Sequence, residues 1–171
     1  HSTNMDFFLD KDQRLERAVA NDAVTARTLE GDSDVQISGS NSVEVTFQAN
    51  NNDSLLKEMK AGGRSVVTMS APKSKANDPH AANKRLTANE VKLTWRSTGR
   101  DLEKAVANGD AELFIEPVVS SQRAERKKLN APQFDCDFFE AGNLARTCKA
   151  SGGSKATLDP VQPSPKRGTR T

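Results

Sequence analysis

Chemistry has few places to reside in this chain. Histidine occurs only at His1 and His80, so no Ser/His/Asp set can be assembled. His80 lies in a polar stretch without periodicity, where a solvated imidazole is the ordinary state. There is no glycine-rich phosphate loop, no zinc-ligand spacing and no nucleophile elbow. Asp135, Asp137 and Glu140 are the densest carboxylates. Such groups can move protons or hold a cation, but Asp135 and Asp137 alternate with Phe134, Cys136 and Phe138, which puts them on the wet face of an amphipathic strand. No catalytic residue, metal ligand or cofactor site is expected, and the chain is read as a non-enzyme. Residues 120–128 read as a polar connector in which Arg123, Arg126, Lys127 and Lys128 cluster. That cluster is either a solvated loop or a contact for the phosphates of a lipid head group. Cys136 and Cys148 lie six residues either side of Gly142. A hairpin turning there sets the two thiols opposite each other on one face.

The elements that would position these residues are strands. Val91, Leu93 and Trp95 alternate with Lys92, Thr94 and Arg96, the period of two that marks a half-buried strand. Residues 97–101 carry turn chemistry around Gly99. Leu102, Val106, Leu113 and Ile115 mark a return arm, interrupted at Asn108-Gly109-Asp110 as by a bulge or bend. The unit is a long hairpin bent once. It recurs upstream with Val43, Val45 and Phe47, a turn at residues 50–53, then Met59, Gly62-Gly63, Val67 and Met69. It recurs downstream with Phe134, Cys136 and Phe138, a turn at residues 141–143, then Cys148, Gly152-Gly153 and Leu158. A half unit precedes them, with Met5-Asp-Phe-Phe-Leu as the end of an outgoing strand and residues 10–13 as its tip. Its Leu-Glu-Arg-Ala-Val-Ala-Asn from Leu15 nearly repeats Leu-Glu-Lys-Ala-Val-Ala-Asn from Leu102. Phe47 to Trp95 spans 48 residues and Trp95 to Phe138 spans 43. Repeats of this period are stacked units that bury their faces against neighbours. In the hairpin register, Cys136 with Cys148 corresponds to Leu93 with Val106 and to Val45 with Met59.

The pattern Leu-Thr-Ala-x-x-Val-x-Leu-x-Trp, a glycine turn, then Leu-x-x-Ala-x-Ala-x-Gly-x-Ala-x-Leu resembles the OstA-like repeat. That family comprises the lipopolysaccharide-transport proteins LptA and LptC and the N-terminal domain of LptD. The resemblance runs from near Phe7 to Pro160. It implies an all-β, half-open β-jellyroll of two sheets. It also implies a periplasmic location and a function in outer-membrane biogenesis: carrying lipopolysaccharide or a related glycolipid through an apolar groove. Val43, Val45, Phe47, Met59, Val67, Met69, Val91, Leu93, Trp95, Val106, Leu113, Ile115, Phe134, Phe138 and Leu158 would line that groove. The implied partners are the lipid and other OstA-like domains, joined head to tail by edge-strand addition. In an oxidising periplasm Cys136 and Cys148 are expected to bond; two buried free thiols are the alternative. The other reading of the whole chain is a structural β-repeat with a closed core that assembles end to end.

Composition sets bounds on these readings. The chain has 171 residues, 35% of them hydrophobic and 5% aromatic, lean for a compact globule and better suited to a thin stacked structure. Its net charge of +2 gives no electrostatic reason to expect nucleic acid. No run of eighteen apolar residues and no signal-peptide core is present. Residues 1–4 read as an appended remnant and residues 5–160 as the repeat domain, in units 5–26, 35–72, 86–117 and 129–160. Residues 73–84 read as a loop, and 161–171 as a Pro-rich basic tail or the start of a further unit. The chain is read as a trimmed fragment whose export signal or anchor has been removed.

Overall fold

Period-two alternation over long stretches leaves the backbone one solution, extended strands that pair with their neighbours. A computed structural model of the chain describes residues 1–27, 34–51, 53–71, 73–75, 77–78, 81–119, 124–140 and 144–161. The turn at 141–143, His80 and Arg123 lie outside the described residues. Nine strands follow in order: β1 (Asn4–Leu9), β2 (Leu15–Arg27), β3 (Val35–Asn50), β4 (Asp53–Met69), β5 (Ala82–Trp95), β6 (Leu102–Pro117), β7 (Glu125–Phe138), β8 (Ala145–Ser151) and β9 (Lys155–Pro160). They form one antiparallel sheet in which β1 to β8 pair in sequence order, and β9 pairs with the first half of β7. The sheet is not closed. The all-β architecture is as expected; the strands form one continuous sheet rather than two separate ones.

Two irregularities repeat from hairpin to hairpin. The first is a one-residue bulge just after each tip. Phe8 pairs with Arg17 but Leu9 with Leu15, skipping Glu16. Lys57, Glu103 and Arg146 are skipped in the same way. Each skipped residue is charged. The skip restores the next apolar residue, Leu15, Leu56, Leu102 or Ala145, to the face of its neighbours.

The second is a break in register at mid-strand. It falls between Asn21 and Val24, Gly62 and Ser65, Thr87 and Glu90, and Asn108 and Ala111. On the last unit the same break separates β8 from β9. At the first break Asp22 and Ala23 take the left-handed conformation; in β4 and β6 glycine is required on two counts. Gly63 and Gly109 have φ of +88° and +77°, and a Cβ on them would lie 2.8 Å from Asn41 Cγ and 2.7 Å from Asn89 Nδ2. At this level Ser40 and Ser65 are buried with their hydroxyls 2.8 Å apart, and Ser65 also donates to the Gly63 carbonyl.

These breaks let one sheet form a core. The only helical segment among the described residues is a single turn at Lys73–Lys75, so no helical layer covers the apolar face. Yet Leu93, Val67, Leu102 and Ala107 have no exposed surface. The cover is the sheet itself. Residues from both halves of the strands belong to one apolar cluster, and Val35 and Ile37 of one half line the same cavity as Met59 and Trp95 of the other.

The extent of two strands differs from the sequence expectation. β5 begins at Ala82, so Ala82 to Lys84 are strand and not loop. β7 begins at Glu125, so Arg126, Lys127 and Lys128 sit on a strand and not in a connector. Polar composition hides both starts, because their apolar neighbours come only later in each strand.

Candidate binding interior

The inward face is built from residue rows that cross the sheet. One row runs Phe7, Ala18, Val45, Met59, Leu93, Ala105, Cys136, Cys148, each paired with the next. The next runs Met5, Ala20, Val43, Ala61, Val91, Ala107, Phe134, Ala150. Beyond the mid-strand break, Ile37, Val67, Leu86, Leu113, Leu129 and Ala156 make a third. Outgoing strands carry the large side chains and return strands often carry alanine, so the two halves can approach without a clash.

Of the residues expected in the groove, Val43, Met59, Val67, Met69, Val91, Leu93, Trp95, Leu113, Phe134 and Phe138 are buried in one cluster, with Val45 and Ile115 packed on its margin. Phe47 is half-buried outside the cluster and lines a shallow hollow with Phe8 and Arg17. Leu158 is half-buried on β9. Val106 does not belong. It pairs with Lys92 on one side and Asp135 on the other and shares their outer face. The bulge at Glu103 shifts the register by one, and a shift of one moves a residue to the opposite face. Leu93 therefore pairs with Ala105. Ala105, Ala107 and Ala111, fully buried, are the interior residues that apolar size does not select. Their signal is the alternation of alanine in Ala-Val-Ala.

A cavity of about 330 Å³ lies between the halves, lined by Ala26, Val35, Ile37, Val45, Leu56, Met59 and Trp95, with Arg27, Gly99 and Arg100 also on its wall. Small-molecule pockets run roughly 300–1,000 Å³, so this one sits at the small end. Arg27 is held 2.7 Å from Asp34. That hydrogen bond keeps the Asp34 carboxyl below its ordinary range despite burial.

The outer face carries paired charge. Lys92 lies 2.7 Å from Glu58, Lys128 2.7 Å from Glu112, Lys104 3.1 Å from Asp135 and Arg126 3.0 Å from Glu116. Burial pushes the Glu58 carboxyl up, but hydrogen bonds from Lys92 and Lys60 outweigh it and hold it below its usual value. A hydrogen bond from Lys128 does the same for Glu112. Asp137 accepts from Thr147 at 3.2 Å on this face. The Arg126–Lys128 run is thus divided by strand alternation, two cations outward in ion pairs and Lys127 inward. Cys136 and Cys148 are directly paired and joined by a disulfide. Among the described residues no three His, Cys, Asp or Glu side chains come together as metal ligands would.

No protein-family model matches the chain, and neither a curated protein nor a solved structure matches it. The geometry of the interior alone carries the argument about function.

Proposed function

We propose that the chain is an OstA-like domain, a half-open β-jellyroll that holds the acyl chains of lipopolysaccharide or a related glycolipid in its interior. On this reading it works in the periplasm as a bridge toward the outer membrane and not as an enzyme. The observation that carries the reading is the run of apolar rows unbroken across eight strands, with a cavity beside them lined by Val45 and Met59 of one row and Ile37 of another. Burial of hydrocarbon contributes about 0.8 kcal/mol per methylene, so such an interior can retain a lipid without a specific polar contact. The open edges supply the bridge. On β1, Met5, Phe7 and Leu9 continue the inner rows yet stay exposed, and a strand of another copy or another OstA-like domain would cover them.

A second reading, a structural repeat with a closed core that assembles end to end, is favoured by the near-complete burial of Leu93, Val67 and Phe134. Photo-crosslinking separates the two. Crosslinkers at Val45, Trp95 and Phe138, which lie in or against the apolar cluster, are expected to capture lipopolysaccharide while one at Lys92, on the outer face, is not. Equal capture at all four positions would exclude the groove; no capture at any would favour the closed scaffold.

A further inference from the structure

Two lysines break the apolar rule of the inner face. The row nearest the end of the second half runs Val35, Met69, Lys84, Ile115, Lys127, Leu158, each paired with the next. Lys84 stands two residues before buried Leu86, and Lys127 two before Leu129, so both share the inward face. They flank Ile115 from either side. With strands about 4.8 Å apart, their Cα atoms are separated by about 10 Å, and two long flexible stems over that gap can converge on one group above Ile115.

Their pairing differs from that of the outer cations. On the same three strands, Arg85, Arg126 and Lys128 all lie within ion-pair distance of Glu112 or Glu116. Lys84 and Lys127 are paired through their backbones, but neither side chain has an ion-pair or hydrogen-bond partner among the described residues. Glu125, two residues before Lys127, has a partner of its own. Burial pushes the Lys84 ammonium's pKa down, so charge there is costly without an anion. An apolar side chain would serve a sealed core better at half-buried Lys84. Snorkelling of the stem to water explains exposed Lys127, but it does not explain why half-buried Lys84 faces the same way one strand beyond Ile115.

We infer that Lys84 and Lys127 form an anion subsite at the end of the apolar interior, which takes the phosphate of an acylated lipid whose chains lie along the rows. The inference rests on the reading of the interior as a lipid trough. It adds the polarity of the ligand and its orientation, with chains toward Leu86, Leu113 and Leu129 and the phosphate over Ile115. Lysine suits this task as a compact point charge able to reorient around a phosphate.

Calorimetric titration of the intact protein with dodecyl phosphate and with dodecyl maltoside, both below their micelle thresholds, tests the subsite and the trough separately. The phosphate probe is expected to bind at least about tenfold more tightly than the neutral one, a charge-assisted contact of about 1.4 kcal/mol or more. The double variant Lys84→Met, Lys127→Met is expected to lose that advantage while binding the maltoside unchanged. Lys149→Met, on the outer face, is expected to change neither. Equal binding of both probes by the unaltered protein, or an undiminished phosphate preference in the double variant, would overturn the subsite and leave the trough standing. Absence of binding by either probe would overturn the trough and the subsite with it. Inorganic phosphate that binds as tightly as dodecyl phosphate would mark a free-anion site and overturn the lipid assignment. Methionine keeps the length of the lysine stem, and the unaltered maltoside affinity reports that the double variant is folded.

Discussion

The hairpin at the edge, β1 with β2, and the hairpin at the centre, β5 with β6, are built to one plan and end in different states. Both carry the tip bulge, at Glu16 and at Glu103. Both place an apolar residue in the same cross-sheet row, Phe7 at the edge and Leu93 at the centre. Phe7 is 61% exposed and Leu93 0%. In the tip row, Leu9 is 52% exposed and Trp95 4%. Residue type and register are alike, so the difference comes from neighbours. A central hairpin has a strand on each side and the folded-over half of the sheet above it. The edge hairpin has one strand and a short partner. Burial in a stacked fold belongs to position in the stack, and the edge keeps apolar surface that a further strand could cover.

The comparison is broken most sharply by one pair of substitutions. Leu93→Ala is expected to cost about 2–5 kcal/mol, the range for a buried leucine that leaves a cavity. Phe7→Ala should change stability by less than about 0.5 kcal/mol. Urea unfolding of the two variants measures this, and equal costs would show that Phe7 is covered in the native protein. The disulfide comes next. It closes a loop with a separation of 12 residues, so its reduction should cost about 2–3 kcal/mol. Urea unfolding with and without reductant reads that difference, and thiol counting on the unfolded, unreduced protein should find no free thiol.

A smaller effect comes from the outer face of the central strands. The Glu112 carboxyl is held below its ordinary value in the folded state, first by its hydrogen bond from Lys128. A carboxylate with a lowered folded pKa adds stability above its unfolded value. In the unfolded chain Glu112 titrates near 4.5, as an ordinary glutamate does, and the added stability is lost as pH falls from there through the folded value. Glu112→Gln should therefore lower stability at pH 7 by at most about 1 kcal/mol. It should also flatten the acid loss below that point, as read by urea midpoints across the pH range. The smallest structural change is expected from Phe7→Lys. It should leave the fold intact and reduce head-to-tail association, seen in sedimentation as weaker growth of mass with concentration. A concentration-independent monomer for the unaltered protein would remove edge pairing from the account.

Much of this fold is legible in the sequence because period-two alternation and recurring turn chemistry report strands directly. Val91, Leu93 and Trp95 show it, and so does the near-copy of Leu15 onward at Leu102. What escapes reading is set by register and by charge. The bulge at Glu103 lies in an apparently smooth alternation. Nothing in the letters distinguishes Val106 facing out from Val106 facing in, since a single skipped residue exchanges the faces. Size alone selects Val106 and passes over Ala105 and Ala107, which the interior uses. Lys84 and Lys127 read as loop residues because a charged residue argues against a buried strand face. Their inward placement comes from pairing with Ile115, a contact 31 residues from Lys84 and 12 from Lys127 in sequence.

Whether the interior admits a lipid is tested most directly at Trp95, the single tryptophan of the chain, which lines the cavity between the two halves. Its fluorescence can be followed as the protein is titrated with a phospholipid brominated along the acyl chain, with iodide as a water-borne control. Saturable quenching by the brominated chain, with little quenching by iodide, is the expected result. A folded protein whose Trp95 responds to neither quencher would contradict the account and identify a closed core.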